Sequence, residues 1–287
     1  MKYKLVCIDM DGTLLNSKKR VSDFNKSAIK KAHELGAQIV ITTGRVYENA
    51  EFYSNLIGVK SPVIASNGAI IKEKCTNEII YKRPIGIEIL KDIVSICNKY
   101  RVKANFNTHN SFICGSKFTY VLINKLFLKS MKLSSNGKLN LEYFKDGHEL
   151  MKKLEEKYDD IIKCEIIHIS AKKISALKKE LQGLEDIEVV SSSTNNIEIT
   201  AKHVSKGKAV EALAKYYKIQ REEIICIGDS ENDLSMIEYA GLGVAMGNAR
   251  EFIKDKADYV TDTNNNDGVG KVIDKFILKE NVACGHN

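Results

Sequence analysis

Short apolar runs alternate with helical patterns at both ends of the chain, and this alternation limits the possible folds more than any other feature. The helical stretches place apolar residues at spacings of three and four. Strands that alternate with helices predict a parallel sheet covered by helices on both faces. The apolar runs are Leu5 to Ile8, Gln38 to Ile41, Val63 to Ala65, Ile224 to Ile227 and Leu242 to Ala245, and the helical stretches are Ser27 to Leu35, Val46 to Ile57, Lys206 to Tyr217 and Asn232 to Ala240.

The middle of the chain has a different pattern. It contains two helical stretches, Glu88 to Tyr100 and Gly147 to Tyr158, and strand-like runs such as Cys164 to Ser170. It carries no obvious catalytic cluster, whereas each flanking half carries part of one. A length of 287 residues also favours two modest domains over one large domain. We therefore predict an α/β core of residues 1–83 and 194–287, with a mixed α/β domain inserted at residues 84–193.

Charge and cysteine content argue against several classes of protein. The net charge of +7 fits an anionic ligand and ordinary solubility alike, and the lysines are scattered rather than interleaved with aromatic residues. We therefore expect no nucleic-acid partner. No apolar run reaches roughly 18 residues, and the N-terminus does not resemble a signal peptide, so we expect a cytoplasmic protein without a membrane partner. Seven cysteines without a CxxC pair indicate neither a disulfide framework nor a zinc site.

The strongest chemical signal directly follows the first predicted strand. Asp9 and Asp11 lie two residues apart where that strand opens into a loop, followed by Gly12 and Thr13. Open parallel sheets bind ligands beyond the carboxyl ends of their strands, so both carboxylates lie where such folds perform chemistry. A turn with capping aspartates fits the same residues about equally well.

A second acidic segment follows the strand Ile224 to Ile227. It runs from Gly228 through Asp229 and Asn232 to Asp233. Carboxylate and amide oxygens around a loop are hard ligands that suit Mg²⁺. The alternative for Asp229 is a helix N-cap, and the two roles are compatible.

Two weaker signals complete the pattern. Thr43 and Gly44 end the second strand, where hydroxyl and backbone N–H groups can hold phosphate oxygens. Lys206 opens a predicted helix, where an exposed lysine would be ordinary. Taken singly, neither signal identifies a site.

Together these four segments resemble the haloacid dehalogenase superfamily, in particular its Cof-type, sugar-phosphatase-like branch with a class IIB cap. The resemblance spans nearly the full chain. The first motif, DxDGT, is met from Asp9 to Thr13, the second by Thr43 in TTGR, the third by Lys206 in VSKG, and the fourth, GDxxND, from Gly228 to Asp233. The segment from Ser66 to Ala69 is also similar to the branch.

The resemblance implies a role for each matched residue. Asp9 would be the nucleophile and Asp11 the general acid and base. Asp9, Asp229 and the backbone carbonyl of Asp11 would bind Mg²⁺, and Asp233 would support these ligands. The phosphoryl-binding groups would be Thr43, Lys206, Asn232 and the amides of Met10 and Gly44.

The reaction that the resemblance implies is hydrolysis of a small soluble phosphomonoester through an aspartyl phosphate. Sugar phosphates are the expected substrates, and phosphorylated cofactors such as pyridoxal phosphate or flavin mononucleotide are possible. A phosphomutase and a non-catalytic phospholigand sensor are the alternatives. Intact Asp9, Asp11 and Lys206 argue against a sensor, and the predicted cap type argues against a mutase. We expect a monomer or a small homo-oligomer.

Three further positions have two interpretations each. Arg45 can reach an anion or simply begin a helix, and a structural role is slightly favoured. Asn67 can face the site or accept a positive φ before Gly68. His109 lies in the polar run Asn105 to Asn110, which either touches substrate or forms a solvent-facing strand edge, with the second interpretation favoured.

Overall fold

A computed structural model describes residues 1–131, 140–144, 146–191 and 193–279, with the side chains of residues 126–131 left aside. The chain divides into two compact units. The first comprises residues 1–45 and 49–81 and the described residues from Ser205 onward. The second comprises residues 46–48 and 82–204.

The two units contain strands and helices in a mixed order. The strands are β1 (Leu5–Ile8), β2 (Gln38–Ile41), β3 (Val63–Ala65), β4 (Ile70–Lys72), β5 (Ile79–Lys82), β6 (Ala104–Asn107), β7 (Ser111–Cys114), β8 (Asn140–Tyr143), β9 (Lys163–Ile167), β10 (Ile187–Val190), β11 (Asn196–Ala201), β12 (Ile224–Gly228), β13 (Leu242–Ala245) and β14 (Tyr259–Val260). The α-helices are α1 (Asp23–Glu34), α2 (Tyr47–Leu56), α3 (Ile87–Lys99), α4 (Lys117–Met131), α5 (Gly147–Lys157), α6 (Ala171–Leu181), α7 (Lys206–Tyr217), α8 (Leu234–Tyr239), α9 (Glu251–Lys254) and α10 (Gly268–Ile273).

Five parallel strands form the main sheet of the first unit, in the order β14, β13, β12, β1, β2. In this register Ile8 lies between Ile227 and Ile41, so three strands end at the same level. A parallel bridge between Thr42 and Ile64 places β3 beside the end of β2. The predicted parallel α/β core is confirmed, and the loops after β1, β2 and β12 begin at one edge of the sheet.

Helices cover both faces of this sheet. On one face Leu5 and Cys7 belong to a buried cluster with Val210 of α7 and Met236 of α8. Strand side chains alternate between faces, so Val6 and Ile8 point to the opposite side. There α1 packs against β2 and α10. All four residues of β1 are fully buried, which explains why the strand reads as an uninterrupted apolar run.

The second unit is built on a six-stranded sheet in the order β10, β11, β9, β6, β7, β8. Neighbouring strands run antiparallel except for β7 and β8, which are parallel. Helix α3 packs against α5 and α6. The unit therefore has its own sheet and its own helical layer, as an inserted α/β domain requires.

The second boundary differs from the predicted one. The sequence prediction placed it between residues 193 and 194, whereas the second unit continues to Val204. Strand β11 explains the difference, because it pairs antiparallel with both β9 and β10 and so lies inside the sheet of the second unit. The first boundary, predicted after residue 83, lies between Tyr81 and Lys82.

The polar run Asn105 to Asn110 is not a solvent-facing strand edge, so that interpretation is wrong. Strand β6 lies between β9 and β7, and Asn105, Asn107 and Thr108 are buried. Buried polar groups need partners, and the Asn105 side chain bonds to backbone atoms of Glu165 and Gly115. His109 lies 3.1 Å from Asp160.

Candidate active site

A buried lysine joins two carboxylates at the edge where β1 and β12 end. Asp9 follows β1, and its amide donates to the carbonyl of Ile227 over 3.0 Å. Lys206 begins α7, and its Nζ lies 2.6 Å from Asp9 Oδ1 and 2.6 Å from Asp233 Oδ1. Lys206 is only 1% exposed. Lys206, one of the two weaker sequence signals, therefore lies at the centre of a buried carboxylate cluster.

Asp233 also organises the loop after β12. Its Oδ2 accepts hydrogen bonds from the backbone amides of Asp229 at 3.0 Å and Ser230 at 2.9 Å. Ser230 is the N-cap of the short helix that follows, so the N-cap interpretation of Asp229 is wrong. Asp229 instead accepts from the hydroxyl of Thr13 at 2.8 Å and from that of Ser230 at 3.3 Å.

The three carboxylates outnumber the single lysine, and the pKa values of Asp9 and Asp229 reflect this imbalance. Burial raises the pKa of Asp9 well above its usual range, and Asp233 and Asp229 add to the shift. Burial, followed by the charge of Asp233, raises the pKa of Asp229 to about 6. Burial alone would lower the pKa of Lys206, but Asp233 and Asp9 outweigh it and leave that pKa raised. The cluster therefore has an excess of negative charge that a cation would relieve.

The donor set fits a hard divalent cation. One oxygen each from Asp9, Asp229 and Asp233 lies within 4.8 Å of the others. Both oxygens of Asp233 already accept hydrogen bonds from Lys206 and two amides, so Asp9 and Asp229 have more free lone pairs for a metal. Carboxylate oxygens in this number suit Mg²⁺, which is bound by one or two carboxylates and otherwise keeps waters.

Gly12 brings the first loop against Asp229. Its φ is +84°, and a Cβ at this position would lie 2.3 Å from Asp229 Oδ2. Only glycine has both the backbone freedom and the absence of a side chain that this approach needs. Gly12 and the Thr13 hydrogen bond together fix the loop after β1 relative to the loop after β12.

The side chain of Asp11 contacts two cations. Arg45 approaches both carboxylate oxygens, at 2.5 and 2.6 Å, and Lys19 lies 2.7 Å from Oδ1. Burial alone would raise the pKa of Asp11, but hydrogen bonds and charge from Arg45 and then Lys19 lower it to about 2. Arg45 therefore pairs with a carboxylate of the chain itself, and helix α2 begins two residues later, at Tyr47. Lys19 was not predicted from the sequence as a partner of Asp11.

Asn67 links the second motif to the fourth. Its backbone amide donates to the carbonyl of Thr43, and its side-chain Oδ1 accepts from Asn232 Nδ2, each over 3.0 Å. Asn67 also has a φ of 57°, so the predicted positive φ before Gly68 is confirmed, while its facing the site stays a prediction. Thr43 is buried, and its hydroxyl accepts from the amide of Arg45 at 3.2 Å. Gly44 follows directly in the same turn.

Met10 completes the loop after β1. Its side chain is fully buried, and its carbonyl accepts from the amides of Thr13 and Leu15. Asn248, a residue not predicted from the sequence, donates from its side chain to the carbonyl of Gly12 over 2.8 Å. No local pattern marks this asparagine, because the two residues are 236 positions apart.

Carboxylates and a buried lysine meet at the carboxyl edge of a parallel sheet, and a second α/β unit is inserted in the chain. This combination is typical of one class of hydrolase. The profile of the haloacid dehalogenase-like hydrolase family matches residues 6–273. The chain therefore belongs to the haloacid dehalogenase-like hydrolase family, and the resemblance stated from the motifs is confirmed.

Curated relatives and solved structures agree with this assignment. A 5-amino-6-(5-phospho-D-ribitylamino)uracil phosphatase of Bacillus subtilis is 32% identical over 96% of both chains. The phosphatase YwpJ of the same organism is 34% identical over 94% of this chain and 98% of its own. A solved structure of a subclass IIB sugar phosphatase is 26% identical, with a TM-score of 0.75 over 95% and 98% of the two chains.

These relatives support a phosphoric monoester hydrolase acting on small phosphorylated substrates. Among the described residues, no helix has the length and apolarity needed to cross a membrane. The cytoplasmic location expected from the sequence stays a prediction, as does the oligomeric state.

Proposed function

We propose that this protein is a Mg²⁺-dependent phosphatase that transfers the phosphoryl group of a small phosphomonoester to Asp9 and then to water. The observation that supports this most is the contact of one buried lysine, Lys206, with Asp9 and Asp233. A charge of this kind stabilises an anionic phosphoryl group most effectively where water is excluded.

In the first step an oxygen of Asp9 attacks phosphorus, and the bond between phosphorus and the leaving oxygen breaks. The leaving alkoxide needs a proton, which Asp11 supplies as general acid. In the arrangement described here Asp11 is held ionised by Arg45 and Lys19, so it must first leave them and take up a proton. A carboxylate two residues from the nucleophile can make this change by rotating its side chain.

In the second step Asp11, now ionised, takes a proton from water as the water oxygen attacks phosphorus. The bond from phosphorus to Asp9 breaks, inorganic phosphate leaves and Asp9 is restored. Division into two displacements replaces one difficult reaction by two easier ones. Asp11 serves both steps, giving a proton in the first and regaining one in the second.

The phosphoryl oxygens need donors at fixed positions during both steps. We assign this role to the hydroxyl of Thr43, the amides of Met10 and Gly44, and the side chains of Lys206 and Asn232. The link from Asn232 through Asn67 to Thr43 supports the assignment, because it joins two of these donors over two hydrogen bonds.

Asp9, Asp229 and the backbone carbonyl of Asp11 would hold Mg²⁺, with Asp233 fixing the Asp229 loop and Lys206. When bound, Mg²⁺ supplies positive charge that offsets the repulsion between the carboxylate nucleophile and the phosphoryl oxygens. The surplus of negative charge around Asp9 and Asp229 supports a cation here.

The expected substrate class is a phosphorylated sugar or sugar alcohol. One relative is named for a phosphoribityl compound, and one solved neighbour is titled a sugar phosphatase. Both names describe a phosphate on a polyhydroxylated carbon chain. Flavin mononucleotide carries a phosphoribityl chain too and belongs among the candidates, as does pyridoxal phosphate.

Phosphate release from a panel of these esters, with Mg²⁺ or EDTA, tests the proposal on wild type and Asp9→Asn. We expect metal-dependent release that Asp9→Asn abolishes while its thermal unfolding stays cooperative. Equal release by the variant would contradict the role of Asp9. Phosphoryl transfer to a second sugar without release of phosphate would indicate a mutase, and ligand binding without turnover would indicate a sensor.

A further inference from the structure

Three asparagine side chains from the C-terminal part of the first unit contact the loop that follows Asp9. Asn248 Nδ2 donates to the carbonyl of Gly12 over 2.8 Å, and Asn264 Nδ2 donates to the carbonyl of Leu15 over 2.8 Å. The Oδ1 of Asn265 accepts from the amide of Ser17 over 3.0 Å. Asn264 and Asn265, which belong to a run that looks like an ordinary polar loop in the sequence, therefore attach the loop that carries Asp11.

The asparagines also orient one another. The backbone amide of Asn264 donates to Asn248 Oδ1 over 2.9 Å. The side-chain oxygen of Asn248 therefore faces this backbone amide, and the side-chain NH₂ group of Asn248 faces Gly12. The amide of Gly247 bonds to the carbonyl of Asp262, which joins the two segments just before Asn248 and Asn264. Asn248 is thus held from two sides in the direction that reaches Gly12.

Gly12 is the point at which a shift of the loop would matter most. It lies between Asp11, the proposed general acid and base, and Thr13, whose hydroxyl contacts Asp229. Its Cα already lies against the Asp229 carboxylate, as the space available for a Cβ shows. A displacement at Gly12 would therefore move Asp11 and disturb Asp229 at the same time.

We propose that Asn248 and Asn264 are positioning residues for the phosphoryl transfer, holding the carbonyls of Gly12 and Leu15 so that Asp11 and Thr13 stay in register with Asp229. The inference rests on the proposed function. Asn248 is exposed and Asn264 half-buried, and a neutral hydrogen bond at such positions contributes little net stability. Their effect on the fold should be small, whereas misplacing catalytic groups by about 1 Å can cost about a hundredfold in rate.

Asn248→Ala and Asn264→Ala test this, with Asn266→Ala as the matched control. Asn266 belongs to the same turn, but its side chain donates to Asp262 over 3.3 Å rather than to the loop after Asp9. With p-nitrophenyl phosphate and saturating Mg²⁺, kcat should fall about tenfold or more in the two test variants, with KM changed less than about threefold. The Mg²⁺ concentration for the half-maximal thermal shift should also rise.

Asn266→Ala should match wild type in kcat, KM and the Mg²⁺ concentration for the half-maximal shift. Wild-type kcat and Mg²⁺ response in Asn248→Ala and Asn264→Ala, or equal losses in all three variants, would overturn the positioning role. If wild type hydrolyses no phosphate ester, the proposed function fails. The Mg²⁺ shift, which needs no turnover, still decides whether the asparagines position the carboxylate site.

Discussion

Arg45 contacts both carboxylate oxygens of Asp11: its Nε lies 2.5 Å from Oδ2 and its Nη2 lies 2.6 Å from Oδ1. A paired guanidinium of this geometry favours the ionised carboxylate and fixes its orientation. Lys19 adds a third contact at 2.7 Å. In this arrangement Asp11 carries no proton, so the proposed first step requires Asp11 to break its contacts with Arg45 and Lys19.

Arg45→Met should weaken the fold above pH 4 and have less effect near pH 2. The folded pKa of Asp11 is lowered to about 2 from an ordinary value near 3.9, so the pair stabilises the protein fully above the ordinary pKa. That contribution is lost as pH falls through the folded pKa. Because the Asp11 side chain is 41% exposed, we expect only about 1 kcal/mol.

Denaturant unfolding at pH 6 and pH 2.5 measures this difference. Arg20→Met is the control, since it removes the same charge from an exposed position nearby. A loss that is the same at both pH values would show that Arg45 acts through packing instead of through the Asp11 carboxylate.

Asp229→Asn should stabilise the metal-free protein at pH 7 while abolishing Mg²⁺-dependent hydrolysis. The pKa of Asp229 is raised to about 6, so above that pH its ionisation costs stability, and the cost fades as pH falls toward the ordinary value. Removing the charge should gain about 1 to 2 kcal/mol in EDTA at pH 7 and little near pH 4. Thermal unfolding at both pH values measures this gain in stability, with Asp159→Asn as an exposed control. If Asp229→Asn were less stable than wild type at pH 7, the excess of negative charge in the cluster would be contradicted.

Lys206→Met should lower kcat about a hundredfold or more, because the phosphoryl oxygens lose a buried cation. In EDTA the variant should also lose about 3 to 5 kcal/mol, since the carboxylates of Asp9 and Asp233 are left without their shared partner. Added Mg²⁺ should restore part of that stability.

Lys163→Met provides the comparison for this metal effect. Lys163 is also buried, and its Nζ lies 2.7 Å from Glu198 in the second unit. Loss of the Lys163 charge should destabilise the protein, and Mg²⁺ should stabilise this variant no more than it stabilises wild type. Equal Mg²⁺ responses in the two variants would separate Lys206 from the metal site and count against the proposed cluster.

Gly12→Ala should remove Mg²⁺-dependent activity. A Cβ there would collide with the Asp229 carboxylate, and the φ of +84° adds strain. Gly58→Ala separates these two effects, because Gly58 has a φ of +75° and nothing within 4 Å of its Cβ position. We expect Gly58→Ala to cost about 1 kcal/mol of stability with normal kcat. Normal activity in Gly12→Ala would contradict the close approach to Asp229.

The edge of the sheet was predictable from the sequence because it depends on short-range features. The strands β1, β2 and β12 are apolar runs apart from Gln38 at the start of β2, and parallel strands in register end at one level, which places Asp9, Thr43 and Asp229 at the same edge. The motifs after these strands could therefore be grouped from the sequence alone.

Partners that are distant in sequence could not be predicted in this way. The ion pair between Arg45 and Asp11 depends on the side-chain rotamers of residues 34 positions apart. The hydrogen bond from Asn264 to Leu15 joins residues 249 positions apart. The predicted boundary between residues 193 and 194 places strand β11 in the core, whereas the strand belongs to the second unit. Its ladders with β9 and β10, which decide its unit, are non-local.

Trapping the phosphoryl group on Asp9 tests the central claim most directly. Wild type and Asp11→Asn would be mixed with Mg²⁺ and p-nitrophenyl phosphate, quenched in acid and mapped by peptide mass spectrometry. Because a phenolate leaves without a proton, Asp11→Asn should still be phosphorylated and should accumulate the phosphate on the peptide containing Asp9, with none on Asp9→Asn. Metal-dependent phosphate release by wild type, with no phosphorylated Asp9 in either wild type or Asp11→Asn, would contradict the mechanism.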